Sequence, residues 1–178
     1  RQLMSRERNR FPWGGRFVEL GFLVHTIFIF SHTFSASPVI SAGFHLPVAT
    51  LGEASGFFAW SLAFVYLILL KQLKTETFGV VLVAVLVLFL MPSFFPFQAN
   101  EVSLRHFNDS YFLIHITSAF FGYAAFALSF IAAGLYLILD RALKRKAPGH
   151  FYNQLPPLED LERLIFRTIF WGLFLLTG

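Results

Sequence analysis

The sequence contains no cysteine. That excludes a disulfide framework, a thiolate zinc site, thiol catalysis and covalent haem attachment through a CxxCH motif of the chain's own. Charge is almost as scarce. Asp, Glu, Lys and Arg make up 13% of the 178 residues, against about 25% in soluble domains. So few solvating groups cannot cover a water-facing surface. What fills their place is 56% hydrophobic and 19% aromatic residues, with 25 phenylalanines and a mean hydropathy of +0.65. The composition is that of a membrane protein. The net charge of +4 is spread too thinly for a nucleic-acid surface and fits the flanks of membrane helices instead, so no nucleic-acid partner is expected.

The few charges divide the chain into apolar runs. The first predicted helix covers about 17–34, with Arg16 and Glu19 at its start. Seventeen uncharged residues separate Glu53 from Lys71 and predict a helix over 54–70, long enough to reach about 26 Å. A third run predicts a helix over 77–94, with Pro92 and Pro96 stopping it near Met91. Thirty uncharged residues between Asp109 and Asp140 predict a long or tilted helix over 110–140. A fifth, over 158–178, starts after Pro156 and Pro157 with an acidic cluster that suits the positive end of a helix dipole. The fold class is therefore all-α, a polytopic transmembrane helix bundle with four complete spans and the start of a fifth.

Lys and Arg placement gives the expected orientation. Eleven of the 14 basic residues lie before the first run, at Lys71 and Lys74, or between Arg141 and Lys146. The positive-inside rule puts these three segments in the cytoplasm, the N-terminal flank included. The chain starts at Arg1, and its last charge-free run, Thr168 to Gly178, covers only about 16 Å of a core roughly 30 Å thick. A single transmembrane region forming an internal portion of a longer protein is expected, with lipid as its solvent.

Six histidines are the main candidates for chemistry. His25 stands nine residues beyond Arg16, about 13.5 Å along the helix and so near the bilayer midplane. An ionisable group there is either a functional residue or a neutral imidazole bonded to a neighbouring helix. His32 follows two turns later on roughly the same face. His115 lies about a turn and a half into the fourth run, at a depth like that of His32, which permits a bis-imidazole haem site with one ligand from each helix. Ser118, one turn on, is a candidate to orient its ring. His45 sits in the first outer loop; His106 and His150 read as loop residues. No histidine has an acidic or histidine partner in an HExxH arrangement, so zinc is poorly supported. Trp60 and nearby phenylalanines either line a porphyrin pocket or simply pack the bundle, and Glu53 reads as an isolated carboxylate.

Three ordered stretches together resemble the CcsA/HemX-type cytochrome c assembly proteins. Gly43 to Glu53, followed by Phe57, Phe58, Ala59 and Trp60, is similar to the family's GHxPLSNLYESLxFLSW segment, with His45, Pro47, Leu51, Glu53 and Trp60 fitting and Ala49, Thr50 and Gly52 departing. Tyr111 to Ile116, then Tyr123 and Ala124, is similar to WLxIHVxxxxxxYA, with Tyr111 in place of Trp. Leu155 to Leu164 is similar to LPxLxxLERL.

The resemblance implies haem handling for cytochrome c maturation at a bacterial inner membrane. His115 matches by position a periplasmic-side axial ligand that precedes the family's tryptophan-rich WWD segment, and His25 looks like its recurrent membrane histidine; His32, His45 (which would cap the site from above), Trp60 and Glu53 are the further cofactor-binding candidates. The implied cofactor is non-covalent haem b. Implied partners are apocytochrome c and either further helices of the same protein or a CcsB/ResB-type subunit, which leaves open membership of a haem-lyase (synthase) system. The residues alone also allow a b-type electron-transfer anchor of a respiratory complex, or a structural or transport bundle without haem.

Overall fold

The computed structural model describes residues 12–34, 46–70, 77–95, 110–145 and 155–177. They form five α-helices: α1 (Pro12–Thr33), α2 (Leu51–Leu70), α3 (Thr77–Leu90), α4 (Ser110–Lys144) and α5 (Leu158–Thr177), with a 3-10 turn at Met91–Phe94 closing α3. There is no strand among the described residues. The all-helical reading holds.

Each helix end has a local cause. α2 begins at Leu51, before the charge-free run, because Thr50 and Glu53 build a cap in front of it. The Glu53 backbone N–H donates to Thr50 Oγ1 at 3.1 Å, while the Glu53 carboxylate accepts from the backbone N–H groups of Ala49 (2.9 Å) and Thr50 (3.3 Å). This is a capping box, satisfying donors that the first turn leaves orphaned. α3 gives way to the 3-10 turn where Pro92 lacks an N–H and crowds the preceding turn; the Phe95 N–H donates to the Pro92 carbonyl to finish it. α4 passes Asp140 and runs one turn further, where Lys144 Nζ meets Asp140 Oδ2 at 2.8 Å across one helical turn. α5 starts after the prolines, with the Pro157 carbonyl accepting from the N–H groups of Asp160 and Leu161.

α2 and α3 are antiparallel. Ser93 Oγ donates to the Gly52 carbonyl at 2.8 Å at one end, and Tyr66 stacks on Phe78 at 6.0 Å at the other. One buried cluster unites α2, α3, α4 and α5, and Leu62, Leu82, Leu128 and Leu161 within it are completely covered. α4 and α5 share the most extensive interface, an antiparallel pair whose backbones touch at two glycines. A Cβ at Gly122 would stand 3.1 Å from the Gly172 carbonyl oxygen, and one at Gly172 would stand 3.0 Å from that of Gly122. Small residues permit such an approach.

Two helices are long and apolar enough to cross a membrane by length and composition, Leu51–Leu69 and Ser110–Lys144. The expected four complete spans are thus met in part. α1 has the length, but Arg16, Glu19 and two histidines dilute its apolar character. α3 has only 14 residues, and α5 carries five charged residues in its first half.

Candidate functional site

α1 shows most of its large apolar side chains to the outside, among them Leu23, Val24, Ile27 and Phe28. The stripe that it turns inward is Val18, Phe22, His25, Thr26, Ile29 and Thr33. Spacings of three and four place these on one helical face. Against that stripe lies Trp60 of α2. Its indole stacks on Phe22 at 5.6 Å, and its Nε1–H donates to Thr26 Oγ1 at 2.9 Å. Thr26 in turn spends its own hydroxyl proton on the Phe22 carbonyl at 2.7 Å, which leaves its oxygen free to accept.

His25 is half-buried at this helix interface. Its Nε2 faces Gly56 of α2, where an added Cβ would stand 4.0 Å from it and 3.0 Å from Ser93 Oγ. The glycine is what lets α1 and the 3-10 turn both close on α2 at this level. Among the described residues, His25 makes no hydrogen bond with another residue.

Trp60 continues into a cluster of rings between α2 and α4. Phe57 meets Phe120 edge-on at 5.1 Å, Phe58 meets Phe89 of α3 at 4.6 Å, and Trp60 and Phe64 both meet Phe121, at 6.0 and 5.4 Å. Offset and edge-to-face pairs at these separations are favourable ring packing. The aromatics expected around Trp60 are therefore brought together, and they fill the space between the helices with one another.

His115 stands five residues beyond the start of α4, with its side chain exposed. Ser118 does not reach its ring: its hydroxyl donates to the His115 backbone carbonyl at 2.8 Å. His32 is exposed on the last turn of α1 with its ring 5.8 Å from Phe28. The Glu53 carboxylate is engaged in the α2 cap. His45, His106 and His150 lie outside the described residues. No group of three or more His, Asp or Glu side chains able to hold a metal occurs among the described residues.

The sequence reading misses three of these features. Thr50-Leu51-Gly52-Glu53 spells a capping box, a local signal that treating Glu53 as an isolated carboxylate passes over. Thr26 and Gly56 carry no such signal, because their partners lie on other helices.

Residues 48–178 match the family described as Cytochrome C assembly protein, a stretch that contains Glu53, Trp60 and His115 but neither His25 nor His32. The chain is 30% identical over 176 residues to Protein HemX of Brevibacillus brevis, covering 94% of this chain and 59% of that protein. It is 33% identical over 124 residues to Protein HemX of Bacillus subtilis (strain 168), covering 67% of this chain and 44% of that one. It therefore spans about half the length of these relatives. No solved structure matches it. With most of its length matched, including the ring cluster and the histidine-bearing start of α4, the chain belongs to the cytochrome c assembly protein family.

Proposed function

We propose that this chain is the haem-handling membrane portion of a cytochrome c biogenesis protein. It holds haem b by axial histidine near the outer face of a bacterial inner membrane and delivers it to apocytochrome c. The observation that carries the reading is His115, which lies inside the matched family region with an exposed side chain and no hydrogen bond from its ring to another described residue. In this reading α1 to α4 all cross the bilayer, the N-terminal flank is cytoplasmic by its basic residues, and the start of α4 is an outer end.

The donor set suits haem iron. His115 of α4 and the α1 histidines His25 and His32 are the residues that would supply imidazole to the iron. The α2 and α4 rings, packed on one another, would give a bound haem an apolar neighbour. Bound haem supplies the vinyl groups to which the CxxCH thiols of apocytochrome c add. The chain's own part is to ligate, orient and shield. Further helices of the same protein, or a CcsB/ResB-type subunit, complete the site.

The test is a pyridine haemochrome measurement on membrane-purified protein, wild type against His115→Ala and His25→Ala. Loss of most of the haem in His115→Ala is the expected result. Stoichiometric haem in that variant rejects the role of His115. Retained haem that turns over rapidly with a quinol donor, with cytochrome c maturation unaffected, replaces the proposal with an electron-transfer anchor.

A further inference from the structure

The two sides of α5 differ sharply. The inward side carries Leu161, Leu164, Thr168 and Gly172, all buried. On the opposite side, Glu159, Arg163, Phe166, Phe170 and Phe174 follow at spacings of four and three and so share one face; all five are exposed. An open groove of about 620 Å³ runs over the first half of that face, lined by Glu159, Asp160, Glu162, Arg163, Phe166 and Arg167. The backbone N–H groups of Asp160 and Leu161 are taken by the Pro157 carbonyl, so what the groove offers is side chains.

Its chemistry is ordered along the axis. Three carboxylates, Glu159, Asp160 and Glu162, stand first; two guanidiniums, Arg163 and Arg167, follow; from Thr168 onward there is no charge. Asp160 and Arg167 are about 10 Å apart along the helix, comparable with a headgroup layer of about 5–8 Å. Glu159 is paired with Arg163 one turn on, whereas Asp160 and Glu162 have no cationic partner among the described residues. Carboxylate, guanidinium, aromatic ring is the order that complements an aminophospholipid, whose ammonium lies outermost, its phosphate beneath and its acyl chains deepest. Three carboxylates against two guanidiniums leave the lining net negative, which disfavours a headgroup with no positive charge. A trimethylammonium has no N–H to give a carboxylate, and a primary ammonium has three.

We propose that the outward groove of α5 binds a phospholipid with a primary-ammonium headgroup. Arg163 and Arg167 take the phosphate, Asp160 and Glu162 take the ammonium, and Phe166, Phe170 and Phe174 carry an acyl chain. The bound lipid fixes the depth at which α5 enters the bilayer. The proposal rests on the reading that α5 begins a membrane span, and it does not depend on which histidine meets haem.

The test adds phosphatidylethanolamine, phosphatidylcholine or phosphatidylglycerol of identical acyl chains to the full chain in detergent, with bound lipid counted by native mass spectrometry and stability read by thermal melting. Wild type is expected to bind phosphatidylethanolamine roughly fivefold more tightly than phosphatidylcholine, the worth of one charged contact at a membrane surface, and to melt highest with it. Glu162→Gln should lose that preference, and Arg167→Gln should weaken both lipids alike. Lys144→Gln, at the same end of the bundle but outside the groove, should keep the wild-type preference. Wild type that binds phosphatidylglycerol as tightly as phosphatidylethanolamine, or phosphatidylcholine equally well, overturns the proposal without recourse to any variant. So does a Glu162→Gln protein that melts like wild type and keeps the preference. Ready labelling of Phe174→Cys by a water-soluble maleimide in membranes would show that α5 does not enter lipid, which removes the underlying reading and the proposal with it.

Discussion

Glu53 illustrates how one side chain carries a fold decision. Its Oε2 accepts two backbone N–H groups ahead of α2 while its own N–H is held by Thr50. A carboxylate at the N-terminal turn also meets the positive end of the helix dipole. Removing such a cap costs about 1 kcal/mol. Glu53→Ala is therefore expected to lower the melting temperature by about 2–4 °C in a protein of this size, and Glu53→Gln to recover most of it, since the amide oxygen still accepts. Thermal melts of the three proteins in one detergent check this. Equal destabilisation by Gln and Ala would mean that the negative charge, and not the acceptor, is what the site uses.

Helices are positioned against each other by what is missing as much as by what is present. At the crossing of α4 and α5, a Cβ on Gly172 would come within 2.8 Å of the Phe126 ring and 3.0 Å of the Gly122 carbonyl. The ring can yield; the backbone cannot without parting the helices. Overpacking of this kind costs about 1–3 kcal/mol, more than the 0.5–1 kcal/mol by which replacing a mid-helix glycine favours the helix itself. Gly172→Val, whose branched side chain regains little of that propensity, is expected to be clearly less stable than wild type, and a melt at or above the wild-type temperature would refute the crossing. Within α4, Ser118 and Gly122 have the small-xxx-small spacing that permits close approach, and Gly122 is where it happens. Its partner Gly172 was not legible, because a contact between helices 50 residues apart leaves no local pattern. The same division holds at the site. Charge-free runs located the helices because charges mark where chain leaves lipid. The Trp60 and Thr26 pair, 34 residues apart, and the His25 surface on Gly56 depend on how α1 rotates, which no run of apolar residues records. α1 also begins at Pro12, ahead of the apolar run, since a helix continues through Arg16 and Glu19 once its inward stripe is satisfied.

For the molecule as a whole, the open quantity is how the bundle sits in the bilayer, and α4 gives the measure. Its 35 residues reach about 52 Å, against a hydrocarbon core of about 30 Å. The surplus emerges at one end. Ser110 follows Asp109 at the start, while Asp140, Arg141 and Lys144 occupy the last turns. The charged first half of α5 shares the protruding part: Leu161 and Leu164 join the same buried cluster as Leu135 and Leu139, leaving Glu162 and Arg163 exposed. In the proposed orientation the basic residues concentrated at that end make it the cytoplasmic one. Because the chain has no cysteine, single-cysteine variants read this directly with a membrane-impermeant maleimide on intact cells. Ser110→Cys is expected to react from outside. Arg141→Cys and Glu162→Cys should react only after the membrane is opened. Tyr123→Cys lies about 20 Å along α4 from Ser110 on an exposed face, and lipid should keep it unreactive under both conditions. Outside labelling of Arg141→Cys would invert the orientation and move His115 to the inner face. Ready labelling of Tyr123→Cys would remove α4 from the hydrocarbon altogether.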